Sequence, residues 1–302
     1  MIKIIKIIKY LVFLVVALMI LVSCNKLAKL DDFNYEVAVD SYLGGDEVWV
    51  LQPQTIAQSL GIAVKTKGGE LIIFDGGRKE DADCLYKFIK RNGGKVSAWF
   101  LSHIHDDHAG AIYEIMDKHK DIKIENLYYN FADFDFYYSV EGDDAGIALL
   151  LLEKFGDLEK YGMKIHDKIK ARDEIELDDV KVEVMNDIYL LAEDGINNSS
   201  IIYKVYMGDK SMIVLGDLSL LGGESLLKDR GDELKSDIVV LAHHGRGGVG
   251  EDVYRAINPE IVIWPSTEKI YNSEGGLQTR AWFDKMNVKK EVLSFEGTYV
   301  IK

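Results

Sequence analysis

Leu101-Ser102-His103-Ile104-His105-Asp106-Asp107-His108-Ala109-Gly110 decides how this 302-residue chain is read. Three imidazoles and two carboxylates occupy six consecutive positions, directly after an apolar run (Val96, Ala98, Trp99, Phe100, Leu101) with the character of a buried strand. Packing does not ask for such a cluster. Neutral imidazoles and ionised carboxylates crowd together where a cation sits among them, and they are the donor set of zinc and its neighbours. His103 and His105, one residue apart, can grip one ion from a tight strand-to-helix loop, while Asp107 and His108 project toward a second.

Upstream, Val48–Leu51, Leu60–Lys65 and Leu71–Phe74 read as a strand meander, with Lys67-Gly68-Gly69 as a turn and Asp75-Gly76-Gly77 ending the last strand. By its position alone Asp75 reads as a turn aspartate. Downstream, Ile112, Ile115 and Met116 recur at helical spacing, so the loop feeds a helix. A short strand follows. Then comes an aromatic segment, Tyr128 to Tyr138, with Asp133 and Asp135 among its rings. Aromatic faces beside carboxylates suit a quaternary ammonium such as choline; packing on the core is the plainer reading. Residues 145–161 read as a helix with Leu149–Leu152 as its buried stretch, and His166 as a strand histidine.

The second half repeats the first motif's logic. Ile201–Tyr206 and Ser211–Leu215 flank a Gly208-Asp209-Lys210 turn as a hairpin, and the second strand ends in Gly216-Asp217. A further strand, Ile238–Leu241, ends in Ala242-His243-His244-Gly245. Each donor group thus follows an apolar strand, so all can meet at one sheet edge. His243 and His244 stay open between metal ligand and acid on the substrate side, with His244, which precedes the glycine, preferred as ligand. Asp106 is a second candidate acid.

Lys3, Lys6 and Lys9 precede an apolar run, Tyr10 to Val22, too short for a bilayer-spanning helix of about 20 residues. Residues 1–23 therefore read as an export signal, 24–42 as a tether, and 43–302 as one continuous domain. The ending Leu21-Val22-Ser23-Cys24 resembles a bacterial lipobox, which implies a lipid on Cys24 and a protein anchored outside the cytoplasmic membrane, in the cell envelope. Cys84 is then the one other cysteine and sits on a helix-like apolar face. A formal net charge of −14, nearer −17 once three signal lysines are gone, disfavours extended nucleic acid as a partner.

The His-x-His-x-Asp-His pattern resembles the signature of the metallo-β-lactamase superfamily. Asn197-Asn198-Ser199-Ser200, then Gly-Asp, then His-His-Gly, then Ile261–Ser266 with its proline, resembles the branch of ComEC competence proteins and phosphorylcholine esterase domains. The likeness covers roughly residues 45–302 and implies an α+β fold, a four-layer αββα sandwich. Carried over by position, it implies His103 and His105 on one metal, Asp107 and His108 on a second, Asp217 bridging, the His243–His244 doublet completing the shell, and Asp75, Asn198 and Ser200 supporting it. The chain departs from many members in lacking a further metal histidine between the first motif and Asp217. The implied cofactors are two divalent ions, zinc or else manganese. Between them a water's pKa falls from about 15.7 to about 7, giving a bridging hydroxide as nucleophile. The expected activity is hydrolysis of a phosphodiester or a phosphocholine-type ester, a small molecule that can carry choline. A β-lactamase or lactonase shares the fold, and a non-catalytic metal- or ligand-binding lipoprotein is the reading of another class.

Overall fold

The computed structural model describes residues 33–302, so the export signal, Cys24 and most of the expected tether lie outside the described residues. Two sheets carry the fold. The first runs, in spatial order, Glu36–Val39, Tyr299–Ile301, Glu47–Val50, Gly61–Lys65, Leu71–Asp75, Ala98–Phe100, Asn126–Tyr128 and Lys164–His166. The second runs Glu174–Leu177, Val180–Val184, Tyr203–Met207, Lys210–Val214, Ile238–Val240, Ile261–Trp264 and Lys290–Leu293.

Alternation along these strands builds three apolar layers. Val48, Val50, Ile62, Val64, Ile72, Phe74 and Phe100 face Val182, Val184, Tyr203, Val205, Val214, Val240 and Ile263 between the sheets. The opposite face of the second sheet, including Ile213, Val239, Leu241, Val262 and Trp264, packs on Leu226, Val253, Tyr254 and Phe283 of three helices, Leu220–Arg230, Glu251–Ile257 and Glu274–Phe283. Outside the first sheet, Trp49 meets Phe88 of the helix Ala82–Arg91 edge-on, with ring centroids 5.3 Å apart. The architecture is the expected αββα sandwich.

Strand direction places the site. Each sheet contains a run of four consecutive, mutually parallel strands: 71–75, 98–100, 126–128 and 164–166 in the first, and 210–214, 238–240, 261–264 and 290–293 in the second. Polar loops leave the carboxyl ends of parallel strands together, which is where open α/β sheets bind ligands. Asp75, Ser102–His108, Asp217, His243–His244 and Pro265 all follow such ends.

Two features differ from the expectation. Glu36–Val39 is a strand of the first sheet, pairing in parallel with Tyr299–Ile301, so the domain begins within the span read as tether. Its partner lies more than 250 positions away, beyond the reach of local pattern. Of Leu149–Leu152 only Leu151 is buried and Leu150 is exposed, because the helix Gly146–Phe155 offers one face to the protein. Among the described residues, no helix is long and apolar enough to cross a membrane.

Candidate metal centre

His105 is extended and the helix Asp106–Lys118 starts directly after it, with Asp106 and Asp107 in the first turn, where carboxylates complement the helix dipole. The helix turns Asp107 and His108 inward, and both are buried. Behind them stands Asp75, in left-handed backbone at φ 55°. Its Oδ1 accepts from the Ser102 amide at 2.7 Å, and its Oδ2 from Ser102 Oγ at 2.9 Å and from His108 Nδ1 at 2.9 Å. His103 Nδ1 in turn lies 3.0 Å from Ser102 Oγ. The carboxylate thus orients both rings, and each keeps Nε2 free to face the centre.

The two sheets meet where Gly216 passes Ser102. A Cβ on Gly216 would stand 2.8 Å from Ser102 Cβ and 2.9 Å from Ser200 Oγ, and its φ is +53°, so this position requires glycine. Asp217 is delivered by that close approach, its amide donating to Ser200 Oγ at 3.1 Å. Asn198 acts one step further out. Its Oδ1 accepts from the amides of Ser219 and Gly222, holding the start of the helix Leu220–Arg230 just past Asp217. His243 and His244 are both left-handed, at φ 48° and 58°, a backbone that costs about 1–3 kcal/mol per residue when not glycine. Gly245 follows at φ +85° with Trp264 packed where a Cβ would go. This tight turn aims His244 inward. Its Nδ1 donates to the Pro265 carbonyl at 2.6 Å, so Nε2 is the nitrogen presented to the centre.

The donors gather in two groups, each arranged so that it could hold one ion: His103, His105 and Asp217, and Asp107, His108 and His244. Donors about 2.0–2.1 Å from a tetrahedral zinc stand about 3.3 Å apart. The spacings match: 3.0 Å for His103 Nε2 to His105 Nδ1, 3.4 Å for His108 Nε2 to His244 Nε2, and 3.2 Å for His244 Nε2 to Asp107 Oδ2. Asp217 lies between the groups, its Oδ1 3.0 Å from His108 Nε2 and its Oδ2 3.4 Å from His244 Nε2. The first of these is a charge contact off the N–H axis, which leaves the buried Oδ1 without a hydrogen-bond donor. An orphaned buried carboxylate oxygen ringed by inward nitrogens fits a divalent cation.

Protonation agrees with that fit. Burial, aided by the neighbouring His108 and His105, pushes the His103 pKa well down, so this ring is neutral. Burial also opposes charge on His108 and His244, yet the Asp217 carboxylate outweighs it, lifting His108 well above its usual value and His244 to about 9. Asp107 and Asp217 are correspondingly held low: burial alone would raise them, and the contacts and charges of His108 and His244 reverse it. In a metal-free state, protons stand where the second ion would.

His243 belongs to neither group. Its Nδ1 is buried without a hydrogen-bond partner, and burial lowers its pKa. Asp106 turns away onto the Arg78 guanidinium, outside both groups. His166 stacks on Tyr128 with centroids 4.2 Å apart, and His119 stacks on Tyr86 at 3.7 Å. The aromatic segment divides. Tyr137 is fully buried, accepting from the Ala132 amide and lying 3.3 Å from Ser199 Oγ, whereas Phe134 and Tyr138 are about half exposed and stack on one another at 6.1 Å. Tyr137 is therefore a core residue and not part of any choline cage. Reading residues in order missed Ser102, although it stands inside the motif, and the Pro265 carbonyl. It also missed Arg78, which carries no metal-donor atom to draw attention.

Imidazoles and carboxylates converging at strand ends between two helix-covered sheets define a metal-binding αββα protein. The profile described as Metallo-beta-lactamase superfamily matches residues 58–262, and the chain belongs to that superfamily, whose members are typically metal-dependent hydrolases. A stretch of 68 residues is 35% identical to Competence protein ComA of Neisseria gonorrhoeae; it covers 22% of this chain and a tenth (10%) of that protein's length. Among solved structures, the metallo-beta-lactamase fold protein YhfI from Bacillus subtilis matches with a TM-score of 0.50 and 13% identity, over 82% of this chain and 95% of that one. Yeast PDE1 matches at 0.50 and 11%, over 85% and 99%, and CmlA, a diiron beta-hydroxylase from Streptomyces venezuelae, at 0.50 and 11%, over 85% and 54%. At these identities the structural likenesses establish the fold alone.

Proposed function

We propose that this chain is a two-metal phosphoric ester hydrolase, acting on a small phosphodiester or phosphocholine-type ester and held outside the cytoplasmic membrane by a lipid on Cys24. The observation that carries the reading is Asp217, set between two three-donor groups. His103, His105 and Asp217 would hold one ion and Asp107, His108 and His244 the other, with Asp75 and Ser102 fixing the rings. Bound there, paired cations would supply a water ionised near neutral pH and stabilise both the attacking and leaving oxygens of an in-line phosphoryl displacement. No serine or cysteine nucleophile is needed. His243 lies outside both groups, and because burial lowers its pKa it would serve the leaving group as an acid only after taking up a proton.

A choline-containing ester is the form of substrate that the exposed Phe134 and Tyr138 support, since their helix is pinned to the Asn197–Ser200 element through Tyr137 and Ser199. The test is parallel assay of the purified, zinc- or manganese-loaded protein on a chromogenic phosphodiester, a phosphorylcholine ester, a lactone and a cephalosporin. Turnover confined to the phosphoric esters is expected. Turnover of the cephalosporin or lactone alone replaces the substrate class, and a loaded but inert protein favours a binding lipoprotein. In the same preparation Cys24→Ser should lose its lipid; a variant that keeps it contradicts the anchor.

A further inference from the structure

We infer that Arg78 is the positioning residue of the second donor group, clamping the Asp107 carboxylate in its ligand rotamer; the inference rests on the two-metal reading above. Arg78 follows Asp75-Gly76-Gly77, and the backbone delivers it across the ligand helix. Ala111 donates to the Gly77 carbonyl at 2.9 Å, and Gly110 faces this segment so closely that a Cβ there would stand 3.0 Å from the Lys79 nitrogen and 3.3 Å from Arg78. Two glycines thus bring the Arg78 side chain over the first turn of that helix. Its Nη1 pairs with Asp106, its Nη2 lies 3.3 Å from Asp107 Oδ2, and its Nε donates to the Gln58 carbonyl at 3.1 Å. Asp107 Oδ2 is the same oxygen that stands 3.2 Å from His244 Nε2.

A cation beside a cation site has two opposed effects. Its charge repels an incoming ion, and its 3.3 Å charge contact with Asp107 Oδ2 holds the carboxylate in place. Asp106 decides between them, because the Arg78–Asp106 pair is close to neutral when viewed from the centre, which leaves orientation as the larger effect. The Gln58 carbonyl and the Leu60 amide, which donates to the Asp107 carbonyl at 3.0 Å, fix the other side of the clamp. A planar guanidinium supplies this three-way geometry and a lysine ammonium does not.

The test is zinc titration of the metal-stripped full chain against a chromophoric chelator, with cobalt(II) spectra to report each group's coordination. Loss of a partner that orients a ligand typically costs about 10–100-fold in metal affinity. Arg78→Ala should weaken the second zinc by that factor and alter its cobalt bands while the first zinc binds as before. Arg78→Lys should fall between the variant and the wild type. If Arg78→Ala does not fold, Arg78→Lys carries the test alone. A second zinc bound equally or more tightly in Arg78→Ala, equal weakening of both sites, or Arg78→Lys at the wild-type level overturns the inference. Wild-type protein that takes up fewer than two zinc ions overturns the two-metal reading itself, and is recognised before any variant is measured.

Discussion

Asp217→Ala should remove both metal ions and lower kcat by about a thousandfold or more, about 4 kcal/mol of barrier at 1.36 kcal/mol per tenfold. No other side chain has this reach. Loss of Asp107 takes one donor from one group, whereas Asp217 completes the first group and borders the second. The fold should survive, because Asp217 is set in place by its own backbone, through the Ser200 hydroxyl and the Gly216 approach, and its carboxylate contacts the other donors of the centre, His108 and His244. In the metal-free state Asp217 also offsets the charge on His108 and His244, so the metal-free variant should unfold earlier than the metal-free wild type near pH 6, with the gap narrowing as pH rises past about 9. Metal content by mass spectrometry and thermal unfolding of the same samples check it. A variant that keeps two ions removes Asp217 from the centre.

Metal uptake should depend on pH more steeply in the second group than in the first. His103 is held neutral, so a first ion meets no proton on that ring. His108 and His244 carry protons in the metal-free state at neutral pH, His244 up to about pH 9, and a second ion must expel them. Between about pH 6 and 8 the apparent affinity of the second site should rise about tenfold per pH unit for each proton released, a hundredfold if both leave. Zinc titrations in unbuffered solution with a pH indicator count those protons. Uptake at both sites that is level across this range contradicts the assignment. Stability follows the same linkage. A histidine whose pKa is higher in the folded than in the unfolded chain stabilises the metal-free fold fully below about 6.5 and loses that contribution as pH rises through about 9. Asp107 and Asp217, depressed in the fold, contribute above their unfolded value near 3.8 and lose it as pH falls. His103 and His243, held low in the fold, act the other way and cost stability as pH falls below about 6.5, so the metal-free protein should be most stable near pH 6.5, and metal should extend its stability upward.

Much of the centre was legible because each donor group directly follows an apolar strand, and parallel strands bring their ends together. His103 to His108, Asp217 and the histidine doublet could be read that way, as could the hairpin that carries Gly216. What could not be read depends on side-chain direction or on long-range contact. The choice between His243 and His244 turns on consecutive left-handed residues and on the Pro265 carbonyl, 21 positions from His244. The grouping of Asp107 and His108 with His244 comes from a helix turning them to the second sheet. Arg78 acquires its role only because Gly77 and Gly110 let two segments touch. The strand Glu36–Val39 exists because the last strand of the chain, Tyr299–Ile301, offers it an edge.

The central claim is tested most directly by anomalous diffraction at the zinc edge from crystals of the zinc-loaded protein. Two peaks are expected, one among His103, His105 and Asp217 and one among Asp107, His108 and His244, with Asp217 beside both. A lone peak, or a second ion bound through His243 in place of His244, contradicts the account.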